Sequence, residues 1–296
     1  MTTTANWATP PAHTLGPADR LQALQIPKTG KLYDLDCSRW PGMPLGPGHP
    51  PFQVLNYRTP RGVRNTGDQK WLEPNKAVNF GWHSEYVLGT VHTGTHIDAL
   101  SHITCGHDNH FHGGYSSDTH LGDFGPLKSD ATEIPPIITR GILLDIPAVR
   151  GVTALNASEP ITRTDVEAAL RRQNVDIRKG DSVLVRTGYL SGWPDPDALA
   201  RTRNAGINLE AGEFLLEKGV VAVGGDTEVL EVMPSGIEDN PLPVHLRLLV
   251  ENGIYILEMV YPEELARDGI YEFLFVCLPL KIQGATGSML RPIAMI

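Results

Sequence analysis

The sequence predicts an α/β protein: a single domain with a mixed β-sheet flanked by helices. Three observations predict it. Helix-like and strand-like stretches alternate through the second half of the chain, the pattern that produces a sheet covered by helices. Stretches such as RGILLDIPAV and VVAVGGD are short apolar runs bounded by glycine or proline, as buried strands are. No glycine-rich linker divides the 296 residues, and a chain of this length can bury most of its apolar surface as one unit.

The elements follow in order. Residues 1–30 are rich in Thr, Ala and Pro with little periodicity, and read as an arm, loose or wrapped on a neighbour, ahead of a domain spanning 31–296. LYDLDCSRWPGMPLGPGHPPF is too dense in Pro and Gly for long regular elements and reads as an extended, ordered loop. From Val87 the chain turns strand-like. RGILLDIPAV, 140–149, is a buried strand. ITRTDVEAALRRQNV, 161–175, is a helix with Val166, Ala169 and Leu170 on its apolar stripe and Thr162 or Thr164 as its cap. DSVLVRTGY is a strand. LEAGEFLLEKG is a helix stopped at Gly219, and VVAVGGD is the strand after it. PVHLRLLVENG is a helix with Pro243 near its start and Gly253 past its end. IYILEMV, 254–260, and FLFVCLPLKI, 273–282, are strands. No repeat of 20 to 50 residues is present.

Composition narrows the function. The chain is 41% hydrophobic and 20% charged, as ordinary globular proteins are, and its net charge of −9 argues against a nucleic-acid partner, which needs a basic face. No run of 18 apolar residues exists, so no membrane span is expected. The first twenty residues lack the charged and apolar regions of a signal peptide. Three widely spaced cysteines, Cys37, Cys105 and Cys277, suggest a reducing compartment, with the cytoplasm as the default.

The chemistry concentrates in one place. Seven of the eleven histidines lie between His92 and His120. In VHTGTHIDALSH a helix would put Asp98 far round the cylinder from His92 and His96. A strand puts His92, Gly94, His96 and Asp98 on one face, and the β-branched Thr93, Thr95 and Ile97 favour it. Gly94 would leave an open gap on that face. Two imidazoles and a carboxylate suit a borderline divalent ion such as zinc, manganese or iron. Glu258 interrupts the apolar strand IYILEMV, where a carboxylate is costly unless it is paired, binds a cation or faces water at an edge. His245 opens the preceding helix and by itself is weak support.

These residues resemble a known family. His92, Gly94, Thr95, His96, Asp98 and His102 form an H-x-G-T-H-x-D-x-x-x-H pattern similar to the signature of the cyclase-family metal hydrolases, which include bacterial kynurenine formamidase and isatin hydrolase. The Pro/Gly segment at 32–52, GDSVLVRTGY, VVAVGGDT, HLRLLVENGIYILE and PLKIQGATGSMLRPIAMI also look like family segments, in order. The resemblance implies a swivelling β/α fold with a β-barrel-like core, a homodimer or homotetramer, and one or two zinc or manganese ions per chain. It implies His92, His96 and Asp98 as one ligand set, His245 and Glu258 as a second with Asp98 bridging, and His102 as a proton carrier. Leu100 stands where relatives often have proline, and 103–120, with His107, His110, His112 and His120, looks longer than in compact formamidases.

The expected activity is metal-assisted hydrolysis of an amide, lactam or lactone in a small, aromatic or cyclic substrate. A metal-dependent cyclase or dehydratase is the nearest rival; a non-haem iron oxygenase would use only three ligands, and a metal-storage protein would not need Glu258. Trp40 and Arg186 are candidates to hold a substrate ring or carboxylate, with packing and surface pairing as their alternatives. Asp226 is a candidate to orient a ligand histidine or to cap a turn. The GHDNHFHGG loop could close over substrate, with His110 and His112 as candidates to bind it, or its histidines could simply be solvent-exposed.

Overall fold

A computed structural model describes Trp7, Val78 and residues 9–46, 48–71 and 80–296. The first six residues of the expected arm lie outside the described residues. Nine strands make the main sheet: β1 Leu32–Asp34, β2 His96–Asp98, β3 Ile137–Asp145, β4 Ser182–Arg186, β5 Ala222–Gly225, β6 Tyr255–Glu258, β7 Glu272–Cys277, β8 Gly287–Met289 and β9 Ile293–Met295. Their spatial order is β1-β9-β7-β3-β4-β5-β6-β2-β8. The central run β3-β4-β5-β6 is parallel, and the pairings on either side of it are antiparallel. The mixed sheet expected from the sequence is therefore present. Strands such as β3 are apolar on both faces because both faces are covered; Ile142, Leu143 and Leu144 have no exposed surface.

The sheet is curled, and its connectivity requires it. β8 lies at one edge and β9 one strand in from the other, yet only residues 290–292 join them. Four peptide steps reach at most about 14 Å, so the two margins must come close. The Leu290 N–H donates to Thr95 O at 3.1 Å and the Leu35 N–H donates to Pro292 O at 3.0 Å, tying both margins to this link. The result is a half-barrel.

Two helices, α1 Arg163–Gln173 and α2 Leu209–Glu217, cover one flank. Thr162, not Thr164, caps α1: its hydroxyl accepts from Asp165 N–H while the Asp165 carboxylate accepts from Thr162 N–H. Asn208 caps α2 through Ala211 N–H. The helix at 243–252 forms, but its Leu246–Val250 turn is widened to π spacing just after His245.

Three expectations are corrected. The strand expected at 140–149 runs from Ile137 to Asp145, where the Asp145 carboxylate caps a helical turn, Ile146–Arg150, that has Pro147 in its first turn. FLFVCLPLKI stops being strand at Cys277, because Pro279 has no N–H to offer a ladder. The described part of the arm is not loose. Pro17–Ala23 is helical, Ala12 and Ala23 are buried, and the N–H groups of Thr29 and Gly30 both donate to Ile296 O. Outside the main sheet, Gln53–Arg58 pairs with Ser84–Leu88 as a two-stranded ribbon exposing Val54, Leu55, Tyr57, Tyr86, Val87 and Leu88.

Candidate metal centre

The strand expected across 92–98 is only three residues long. Gly94 adopts φ +60°, which breaks the pleat and turns His92 back toward the site. The Gly94 backbone lines the cavity beside the centre, while the direction a side chain would take is filled: a Cβ there would lie 3.2 Å from Cys37 Sγ and from Arg39 Nε. Arg39 clamps this turn, donating to the carbonyls of Thr93, Thr95 and Leu290.

On β2 the two-residue period holds. Ile97 points into the core, while His96 and Asp98 face the other way. Neighbouring strands complete the face. Glu258 of β6 stands directly opposite His96, and Gly287 of β8 stands opposite Asp98. Any side chain at 287 would collide with the His92 ring, whose Cε1 lies 2.8 Å from the missing Cβ position. His245 enters from the helix that precedes β6.

Each imidazole is held by one nitrogen and aimed by the other. His92 Nε2 meets the Thr286 hydroxyl at 3.1 Å, His96 Nδ1 donates to Gly94 O at 2.7 Å, and His245 Nδ1 donates to Glu231 Oε1 at 2.5 Å. The acceptors behind His96 and His245 place their protons on Nδ1, and His92 Nδ1, His96 Nε2 and His245 Nε2 face the carboxylates. His92 Nδ1 is 2.9 Å from Asp98 Oδ1, and His96 Nε2 is 3.2 Å from Glu258 Oε2. Neither contact has hydrogen-bond alignment. His92 Nδ1, His96 Nε2 and both Asp98 oxygens are buried with no hydrogen-bond partner. Buried polar atoms without partners are rare. These converge on shared points, as ligands around a cation do. Two groupings, His92–His96–Asp98 and Asp98–His245–Glu258, each bring their ligand atoms within 4.8 Å of one another and share Asp98. The set fits one or two divalent ions bound through nitrogen and oxygen.

Electrostatics agree. Burial acts to raise the Asp98 and Glu258 pKa values, but the surrounding histidines outweigh it and keep both carboxylates ionised. Burial acts to lower His245, but Glu231 and Glu258 hold it up at about 10. His102, stacked on His92 with ring centroids 3.9 Å apart, is pushed down to about 4, chiefly by burial and against the pull of Asp98.

The centre opens into a cavity of about 210 Å³ whose lining includes His49, His102, Ile103, Glu228, Met233 and Leu242. Of the expected site residues, the structure brings together His92, His96, Asp98, His102, His245 and Glu258. The others stand elsewhere. Arg186 is committed to Asp145 and Glu263, Trp40 packs against Trp193, and neither lines the cavity. His112 is buried with its Nδ1 on Val250 O, and His110 bonds to Asp108 and Cys105. Neither lines the cavity, so the 106–114 loop does not bring them to it. Asp226 accepts from Thr187 and Gly188 and touches no ligand histidine; Glu231 takes that part for His245. Glu231, His49 and Gly287 were not singled out from the sequence. Glu231 lies in a loop after strand β5, with no periodicity to mark it.

An α/β half-barrel with a buried histidine–carboxylate centre at its margin defines a class of proteins. A family model described as putative cyclase matches residues 32–232, and the chain belongs to this cyclase family. The chain is similar to isatin hydrolase of Roseibium aggregatum, 24% identical over 278 residues covering 90% of this chain and 93% of the relative. It is also similar to kynurenine formamidase of Bacillus cereus, 26% identical over 224 residues covering 75% and 82%. A crystal structure described as a novel cyclase superposes with a TM-score of 0.83 at 28% identity, covering 97% of this chain and 95% of that one. An isatin hydrolase bound to the product analogue thioisatinate has the same fold, with a TM-score of 0.65 at 18% identity and coverage of 95% and 99%. Among the described residues no helix is long and apolar enough to cross a membrane.

Proposed function

We propose that this protein is a metal-dependent hydrolase of an amide, lactam or lactone bond in a small, largely apolar, cyclic or aromatic molecule. The observation that carries this reading is the convergence of buried, partnerless ligand atoms beside a neutral histidine at the floor of a cavity. His92, His96 and Asp98 would hold one divalent ion, zinc or manganese, and Asp98, His245 and Glu258 a second. When bound, the ion supplies Lewis acidity, acidifying water and polarising an acyl carbonyl. The rest of the work falls to side chains. His102, neutral at physiological pH, accepts the proton of the attacking water and passes it to the leaving nitrogen or oxygen. Glu231 fixes the orientation of His245.

The substrate class is supported by the lining. Leu45, Ile103, Val229, Met233, Leu242 and Met259 provide apolar surface, and no described lining residue is Lys or Arg. A neutral ring fits such a wall better than an anion. The named activities of the relatives, on isatin and as a kynurenine formamidase, support the same class. A three-ligand iron oxygenase is disfavoured because His245 and Glu258 complete a second grouping on Asp98. We further propose a homodimer or homotetramer in the cytoplasm; the apolar ribbon at 53–58 and 84–88 supports self-association.

The test is a panel of isatin-like lactams, N-formyl aromatics, cyclic imides and lactones, assayed after chelation and after return of zinc or manganese. Metal-restored hydrolysis of at least one member, lost in His102→Ala, is expected. Full activity in the metal-free protein, or iron-dependent oxygen consumption without hydrolysis, would overturn the proposal. Light scattering of the purified protein reads the oligomer, and a monomer would refute that part.

A further inference from the structure

A second cluster of reactive groups lies outside the metal centre. Cys105 Sγ is 3.3 Å from His110 Nε2, and His110 Nδ1 is 2.8 Å from Asp108 Oδ1. This is the order of a nucleophile, its base and the carboxylate that orients the base. The backbone is built around it. Cys105 and His110 exchange both backbone hydrogen bonds, at 2.9 Å each, closing a tight loop. Gly106 sits inside that loop at φ +75°, and a Cβ there would lie 3.0 Å from the His110 ring and 3.1 Å from Asp108 Oδ1. The missing side chain is the space in which the ring and carboxylate meet. Trp7 stands edge-on to His110, with centroids 5.7 Å apart.

Tautomer follows from partner. The His110 hydrogen bond holds the Asp108 carboxyl below its usual range, so Asp108 is an acceptor and His110 carries its proton on Nδ1. Nε2 then offers its lone pair to the Cys105 S–H. Burial, with Glu251 and Asp108 nearby, raises the Cys105 pKa, so the resting sulfur keeps its proton and needs a base to become a nucleophile. Cys105 is partly exposed, whereas Cys37 and Cys277 are buried. We propose that Cys105, with His110 as its base and Asp108 orienting that base, is a thiol–disulfide exchange site for small neutral or cationic disulfides. The charge preference follows from the exposed Asp108 carboxylate, held beside the thiol by its 2.8 Å contact with His110, which repels anionic reagents; Glu251 is already paired with Arg247.

The step balances. His110 Nε2 takes the Cys105 proton as the sulfur attacks one sulfur of the reagent disulfide. The reagent S–S bond breaks, a protein–reagent S–S bond forms, and the leaving thiolate takes the proton from the imidazolium. Cys105 is oxidised, and the released thiol is the reduced product. The site is three residues past His102 and two past Ile103 of the cavity wall, but its chemistry does not depend on the metal reading.

The test uses the full-length protein with cystamine, 2-hydroxyethyl disulfide and dithiodiglycolate, followed by intact mass and peptide mapping. We expect one adduct, on Cys105, formed faster with the cationic and neutral reagents than with the anionic one, and none in Cys105→Ser. His110→Ala is expected to slow the reaction at least about a hundred-fold, the low end of general-base assistance. Asp108→Asn, which removes the orienting charge with a smaller change in the loop, is expected to slow it as well. Continued protection of Cys37 and Cys277 reports that each variant is folded. Reaction at Cys37 or Cys277 first, fastest reaction with the anionic reagent, or native or faster labelling of Cys105 in either His110→Ala or Asp108→Asn overturns the proposal.

Discussion

The histidines of the centre differ in what sits behind them, and this gives each a different sensitivity. His245 is backed by a buried carboxylate, so its ring keeps a second proton up to about pH 10 when no cation is present. A cation binding at Nε2 must displace that proton. Metal uptake near neutral pH is expected to release about one proton, and affinity to fall about ten-fold for each unit the pH is lowered. Calorimetry in buffers of different ionisation enthalpy counts the proton, and a count of zero would remove His245 from the ligand set. In the metal-free protein the sign for stability is the reverse. Between the ordinary 6.5 and about 10 the folded state binds more protons than the unfolded, so the His245 contribution is complete below 6.5 and is lost as pH rises through 10. Glu231→Gln keeps the shape but weakens the acceptor behind His245. Metal affinity is expected to drop about 10- to 100-fold with the fold intact, as read by metal titration beside a thermal melt. At this scale the sequence was legible where chemistry repeats at short spacing. His96 and Asp98 share a face because they are two apart, and a strand of three residues suffices for that. Arg186 and Trp40 were not legible, because nothing local says whether a guanidinium finds a substrate or, as here, Asp145 and Glu263.

Among the elements, β2 decides the site, and its neighbours do so by register. Glu258 lies opposite His96 only because β6 pairs antiparallel with β2 at that residue, and one step of slippage would turn the carboxylate to the other face. Sequence periodicity cannot supply register between residues 162 positions apart, so Glu258 could be suspected as a costly buried charge but not placed. The same holds for Gly287, which reads as an ordinary loop glycine until β8 is set beside Asp98. Gly287→Ala would drive a methyl group into His92 Cε1 and Ile97 O, each 2.8 Å away. The expected cost is about 1–3 kcal/mol of stability together with weakened metal binding, measured by denaturant midpoint and metal content. An unchanged metal content would show that β8 does not set the position of His92. The strand lengths were the least legible feature: Pro147 and Pro279 end β3 and β7 earlier than their apolar runs suggest.

Taken whole, the molecule places a charge-rich centre at the margin where its curled sheet meets itself. The proposed ligands come from 92–98 and from 245–258, so a bound cation would join parts of the chain that the unfolded state keeps far apart. Chelation is therefore expected to lower the melting temperature, since a ligand at about 1,000 times its Kd adds about 4 kcal/mol to the folded state. Scanning calorimetry with and without chelator measures this, and coincident melts would argue against an internal ion. The alternation of helices and strands announced the architecture, but the closure came from a feature with no local signature, the three residues that join β8 to β9. That link has a consequence for how the protein is made. A nascent chain that has reached residue 285 already carries all five proposed ligand residues, yet it lacks Thr286 to hold the His92 ring and Gly287 to make room for it. Neither margin of the sheet can close until the following ten residues emerge. Metal capture is thus expected only after residues 286–295 have left the ribosome and closed the sheet, however early the ligand segments themselves were made.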